Sequence, residues 1–507
     1  MKKKHSSPPA ADSSTLALDD IQGLILRGYS YFNIRYFIFK IQDVAGARAF
    51  CAALRPGSGA PMTLTTAQPW DEDPPYCLNL GVTNTGLAQL LGGNNYLAVR
   101  NASYTIFNSF DEGAVAQAGT VGDTGTSAPQ NWWPAENCQL PAPLSPKDLN
   151  LLVCLYTRST QERELFSCRL LDMIPKGADQ QPSLVPAFTQ DADPLPPPPG
   201  AFNSGIQIHF GYADGFSQPR IQGTPWDDPG SPDDDSPMVP SWHFAIAQKA
   251  PLYNAHPLLV NGSFGAFRVL YQDVEGFNNF LAKSPTPDLL AAKMCGRWLD
   301  GTPLEVSPDE PDPSLSEYDL INFNFLNPTP HQKGPRESDN LGQSCPYASH
   351  TRRTNPRDDT AVVGDTSIDG TGYPFAEQHR IRRFATPYGP PYTPQTGGEP
   401  RGLVGLFMGA NLTDQFEFLM GQWINEGGFR TPDVSPNSSG VDPLFGPHED
   451  DVVPTNFDFD YLPSGSANYE TVTPMQRFIV TKGGLYVFLP SVAALYYLSK
   501  GTVPPSS

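Results

Sequence analysis

Short apolar runs of period two alternate along the chain with stretches whose apolar positions recur every three to four residues, the pattern of mixed strands and helices. Residues 36–42 (Tyr-Phe-Ile-Phe-Lys-Ile-Gln) read as a strand and the Ala-rich 45–54 as a helix. A strand over 78–83 leads to a helix over 85–91, capped by the turn before it. A buried strand over 151–156 and a helix over 162–173 follow, and alternating Ile206, Ile208 and Phe210 supply one more strand. That order of strand, helix, strand, strand, helix, strand predicts a ferredoxin-like α+β unit. The second half repeats the mixture. It has strands at 262–271, 403–408 and 482–491, a helix at 274–282 and a terminal helix at 492–500. Between 413 and 425, Phe416, Leu419, Met420 and Trp423 fall at helical spacing, which makes Trp423 a core residue rather than an electron relay. Two similar α+β halves are expected, with no short repeat visible between them. The expected division is a tail at 1–15, a first domain at 16–200 and a second at 201–507. The boundary lies near the stiff, proline-rich connector 191–199, and the acidic 225–240 insertion is expected to face solvent.

Composition narrows the function. The 507 residues suffice for two cores, and 55 prolines imply many ordered loops. A formal charge of −20 argues against a nucleic-acid partner, which needs clustered cations. No apolar run approaches the roughly 18 residues of a membrane span. The basic start runs into Ser and Pro rather than an apolar segment, so no secretory signal is visible and a cytoplasmic location is expected. Seven scattered cysteines, none in a C-x-x-C pair, read as free thiols.

Three stretches could carry chemistry. Gly211-Tyr-Ala-Asp214-Gly215 must bend sharply around one carboxylate. Either Asp214 caps its own turn or the glycines bring a ligand close to the main chain. Around His350 stand Arg352, Arg353 and Arg357, a basic concentration in an acidic chain. It is a basic surface loop or the seat of an anionic cofactor such as haem, whose propionates pair with Arg and whose iron takes a neutral imidazole. Arg380, Arg382 and Arg383 form a second cluster, and at least one of them is expected to meet something anionic. No phosphate loop, G-x-S-x-G elbow or H-E-x-x-H is present.

Taken in order, these stretches resemble the dye-decolorising peroxidase family. The resemblance rests on Gly211-Tyr-Ala-Asp-Gly-Phe-Ser-Gln-Pro219, on Cys345-Pro-Tyr-Ala-Ser-His350 through Arg357, and on Arg380 through Gly389. It extends to Asp20-Ile-Gln-Gly23, Gly296-Arg-Trp298, Gln415-Phe-Glu-Phe418 and Lys482-Gly-Gly484, covering nearly all of residues 16–500. It implies two ferredoxin-like domains with haem b held mainly by the second. His350 corresponds to the iron ligand and Asp442 to the acid that bonds it; Arg353 and Arg357 are the expected cofactor-binding arginines. Asp214 corresponds to the distal acid–base. Arg383 corresponds to the distal arginine, with Arg382 the alternative.

The implied activity is reduction of hydrogen peroxide through a ferryl state, with dyes, phenolics and similar bulky reductants oxidised in turn. A carboxylate titrates near ~4 and a histidine near ~6.5, so activity is expected to persist at acidic pH. Bulky dyes are expected to react partly at the surface through Trp or Tyr. Two departures stand out: Gly405 where many members have a phenylalanine, which implies a roomier pocket, and Trp242-His-Phe-Ala-Ile246 after the acidic insertion. The rival readings are a haem carrier or sensor, which has no need of Asp214, and a peroxide-independent enzyme of the same fold group.

Overall fold

A computed structural model describes residues 16–196, 207–226, 238–329, 332, 338–359, 375–427, 429, 440–448, 457–460, 469–472 and 474–505. The expected tail, the end of the 191–199 connector and most of the acidic insertion lie outside the described residues.

The first half builds β1 (Asn33–Ile41), α1 (Val44–Ala53), β2 (Cys77–Val82), α2 (Asn84–Leu91), β3 (Leu151–Thr157), α3 (Thr160–Asp172) and β4 (Leu184–Ala192). The second builds β5 (Ser263–Gln272), α4 (Val274–Leu281), α5 (Pro287–Cys295), α6 (His350–Thr354), β6 (Arg382–Tyr388), β7 (Gly402–Gly409), β8 (Ile479–Leu489) and α7 (Val492–Lys500). All eight strands join one sheet in the order β6-β7-β5-β8-β2-β3-β1-β4. Each half therefore has the ferredoxin-like order in which the first strand lies between the third and fourth. The halves meet where Phe488 of β8 pairs with Val82 of β2. The outer strands approach as well: the Asp193 N–H donates to the Pro387 carbonyl at 2.9 Å, curling the sheet towards a barrel.

Two expectations change. Residues 207–212 are not the fourth strand of the first half; that strand is β4. Gly211 N–H donates to Ile208 O at 2.9 Å and Ile208 N–H to Tyr212 O at 3.0 Å, so the stretch folds into a tight turn. Its alternation records packing instead: Phe210 lies 4.5 Å from the Phe277 ring, and Tyr212 donates to the Ala291 carbonyl at 2.7 Å. The 413–425 stretch does coil, but as two short π-type turns, Thr413–Glu417 and Leu419–Ile424. Trp423 is buried within it against Phe418 and Phe429.

A repeat also emerges once β1 and β5 are matched. Gln42-Asp-Val-Ala-Gly46…Phe50 and Gln272-Asp-Val-Glu-Gly276…Phe280 leave these strands identically. Asp43 and Asp273 each accept from a glycine N–H three residues on, at 2.6 and 2.9 Å, capping the helix that follows. A Cβ at Gly276 would lie 2.1 Å from Asp273 Oδ2, so the cap itself demands glycine there.

Candidate active site

One cavity of about 580 Å³ gathers most of the residues singled out in the sequence. His350, Asp214, Arg357 and Arg383 all line it, with Arg268, Arg297 and Arg380.

His350 opens α6, a single helical turn. Ser349 before it is buried and its hydroxyl donates to the Lys293 carbonyl, which fixes the start of that turn on α5. Behind His350, Nδ1 lies 2.7 Å from Asp442 Oδ2. Asp442 is fully buried, and its other oxygen accepts the Leu444 and Phe445 N–H groups at 2.9 Å. Burial raises its pKa, but His350, Arg353 and those hydrogen bonds outweigh burial and hold the carboxyl below its usual range. Burial likewise lowers the pKa of His350, and the Asp442 carboxylate more than reverses it. The imidazole side chain is 35% exposed, and what it is exposed to is the cavity. With Nδ1 committed to a carboxylate, Nε2 is the nitrogen presented for coordination.

Asp214 sits in the turn described above. Gly211 and Gly215 have φ of 92° and 97°, a region that glycine enters without strain, and Ser217 follows at 58°. His209 ties this turn to the end of β6, with Nε2 2.8 Å from the Tyr388 carbonyl. Burial pushes its pKa down to about 4, so it is a neutral structural link.

Arg383 meets the same turn from β6. Its guanidinium donates to the Phe216 carbonyl at 2.5 Å, and the Gln218 side-chain amide donates to the Arg383 carbonyl at 2.6 Å. The Gln218 oxygen faces the Arg383 N–H at 3.4 Å, so one side chain grips both backbone groups of that residue. Burial lowers the pKa of Arg383, and the Asp214 charge acts against it. Because successive strand residues face opposite ways, Arg382 turns away from the side that Arg383 shares with His350, towards Phe384 and the Pro219 carbonyl. That alternation also keeps the charges of Arg382 and Arg383 on opposite faces of the strand.

Arg357 contacts the turn through Ser217 Oγ at 3.3 Å, and Arg380 through the Ser217 carbonyl at 2.8 Å. Arg353 does not join them. It is fully buried and donates to the Trp423 and Gly440 carbonyls, so it braces the segment carrying Asp442 instead of lining the cavity. Gly405 does not open the pocket either. A Cβ there would meet the Phe384 carbonyl oxygen at 2.0 Å, and Leu403 and Phe407 form the wall on either side.

Sequence reasoning gave no role to Arg268, Arg297, Arg380 or Gln218. Arg297 lay within the quoted Gly296-Arg-Trp298, and Arg380 within the second basic cluster, so a signal existed for both. The donor set fits haem: one imidazole nitrogen backed by a carboxylate, apolar walls at Leu270, Leu403 and Leu444, and arginines able to meet two propionates.

No family model matches the chain. It is 28% identical over 510 residues to a dye-decolorizing peroxidase of Mycena epipterygia, covering 95% of this chain and 86% of that protein. A dye-decolorizing peroxidase of Auricularia auricula-judae is 27% identical, with 96% and 88% covered. Among solved structures, an ancestral D-type dye decolorizing peroxidase superposes with a TM-score of 0.75 at 26% identity, covering 95% of this chain and 99% of that one. A fungal peroxidase of that type from Auricularia auricula-judae gives 0.74 at 25%, with 96% and 100% covered.

Proposed function

We propose that this chain, similar over 95% of its length to dye-decolorising peroxidases, works as one of them, binding haem b through His350 and reducing hydrogen peroxide with Asp214 as acid–base. The observation that carries this reading is the convergence of His350, Asp214 and Arg383 on one cavity. When bound, the haem supplies the electrons that break the O–O bond and later recovers them from reductant. The protein handles the proton. Asp214 takes it from one peroxide oxygen and returns it to the other, so that water leaves. The Arg383 guanidinium, oriented by the Phe216 carbonyl, stabilises negative charge on the departing oxygen without reorganising. Asp442 fixes the tautomer and orientation of His350 and makes it a stronger donor. Arg357 and Arg380, which line the cavity, would hold the haem propionates.

Bulky phenols and dyes are the proposed reductants; a relative of this fold has been solved in complex with 2,6-dimethoxyphenol. The seven cysteines, all unpaired, support a cytoplasmic location. We also propose a domain boundary near residue 200.

Asp214→Ala tests the assignment. Haem content should stay at the wild-type level while the rate of the peroxide step falls by ~10²–10⁴. Stopped-flow mixing of the resting enzyme with peroxide reads both. Full activity at unchanged haem content would remove Asp214 from the mechanism.

A further inference from the structure

The cavity does not end at the haem side of β6. Arg383 and Ala385 face His350, whereas the pleat turns Phe384 and Thr386 to the other face of the strand, and all four line the cavity. Phe384 is in register with Leu406, and Leu406 with Phe267, whose ring packs 5.3 Å from Tyr36 of β1. That second face is therefore the barrel interior.

There the walls come from the first half: Tyr29, Tyr31, Phe32, Ile34 and Tyr156. Ile34 and Tyr156 are direct partners across β1 and β3, on the same face as Tyr36. Tyr29 and Tyr156 meet edge to face at 5.2 Å. Tyr31 has its hydroxyl committed to the Pro74 carbonyl at 2.6 Å, so it offers the lobe a fixed ring. Gly28 leaves room for Phe384; a Cβ there would lie 3.1 Å from its ring. Gly28 and Ser30 are exposed, so the lobe reaches solvent between them.

The two lobes differ in charge. Every arginine on the cavity wall, and Asp214, lies on the haem side; Arg382 sits behind the Phe384 ring with a bond to the Pro219 carbonyl, and among the described residues no charged side chain lines the second lobe itself. Such a slot stacks a planar ring and offers an anion no partner. The chain's −20 charge repels anions as well.

We propose that this second lobe is the seat of uncharged phenolic reductants, distinct from whatever surface anionic dyes use. The inference rests on the peroxidase reading and assigns a place to one of its two substrates. Two phenols and one hydrogen peroxide give two phenoxyl radicals and two waters. Each phenol loses its hydroxyl hydrogen as an electron, taken by the oxidised enzyme, and a proton, which ends in water.

The test blocks the mouth. Ser30 is exposed, so Ser30→Trp adds a ring at the rim without touching the core, and Ser30→Ala is its control. Binding of 4-fluorophenol to the resting haem-loaded protein is followed by fluorine NMR without peroxide. It should weaken at least tenfold in Ser30→Trp and be unchanged in Ser30→Ala. With peroxide, kcat/KM for phenol should fall at least tenfold in Ser30→Trp, while the peroxide step and oxidation of a sulfonated dye stay within twofold. Unchanged 4-fluorophenol binding in Ser30→Trp, or its displacement by imidazole at the haem, would overturn the proposal. So would an equal fall for phenol and dye. Failure of the peroxidase reading looks different: the wild type would consume no peroxide, and the binding arm would still decide whether the lobe takes a phenol.

Discussion

Individual side chains in this protein are set by what surrounds them more than by their type. Glu305 is 2% exposed, and among the described residues one of its carboxyl oxygens meets no hydrogen-bond partner. Burial, reinforced by the nearby Asp339 charge and opposed by Arg352, pushes its pKa up to about 10. In the unfolded chain a glutamate titrates near ~4.3. Between those values the folded state holds a proton that the unfolded state has released, so stability falls as pH rises through the window. Glu305→Gln keeps the shape without the proton. Its melting temperature should therefore gain on the wild type between pH 5 and pH 9, and a constant gap in thermal unfolding would show that Glu305 ionises freely.

At the scale of elements, the short turn bearing His350 depends on a glycine in the helix before it. Gly296 ends α5 with φ of 92°, and a Cβ there would lie 2.0 Å from Thr351 Oγ1. Gly296→Ala should cost ~1–3 kcal/mol from backbone strain alone, measured by denaturant unfolding, and should loosen haem by displacing α6. Adding Thr351→Ala removes the clash but not the strain, so haem retention should recover more than stability. None of this was legible in the chain, because the contact joins residues 296 and 351 only through the fold. What was legible followed local pattern. β1, β2, β3, β5, β7 and β8 announced themselves by apolar runs, and Asp214, His350 and Arg383 by glycine, charge and family order. β4 and β6 did not. β4 carries Pro186 and Asp191 among its apolar positions, and β6 carries Pro387 after two charged arginines; Pro and Asp are disfavoured in a strand. Both are outer strands, where such residues are tolerated. Residues 207–212 misled for the opposite reason: alternation came from packing on α4 and α5 without any ladder. The Gln-Asp-Val-x-Gly repeat was present in the sequence but had meaning only once β1 and β5 were known to be equivalent.

At the scale of the molecule, the question is what joins the two halves, since among the described residues the ladder between β8 and β2 is the one pair Phe488 and Val82, to which the outer strands add the Asp193–Pro387 bond. Part of the answer is the Asp20-Ile-Gln-Gly23 segment. Gln22 donates to Leu80 O at 2.9 Å in the first half and to Pro490 O at 2.8 Å in the second, and Asp20 accepts from Asn261 and Ala493. The other part is buried. Arg268 of β5 grips Asp123 of the first half at 2.7 and 2.5 Å, with side chains only 2% and 1% exposed, and Thr481 bonds both. Arg268 also lines the cavity, so this pair couples the join to the site. A buried ion pair of this kind is compensated only while both charges remain. Asp123→Ala should leave Arg268 uncompensated and cost ~3–5 kcal/mol, whereas the double change Asp123→Leu with Arg268→Met should recover most of that loss. Urea midpoints of Asp123→Leu, Arg268→Met and the double variant measure the coupling. If the losses simply add, the pair is not what holds the halves together, and the Asp20–Gln22 strap carries that role.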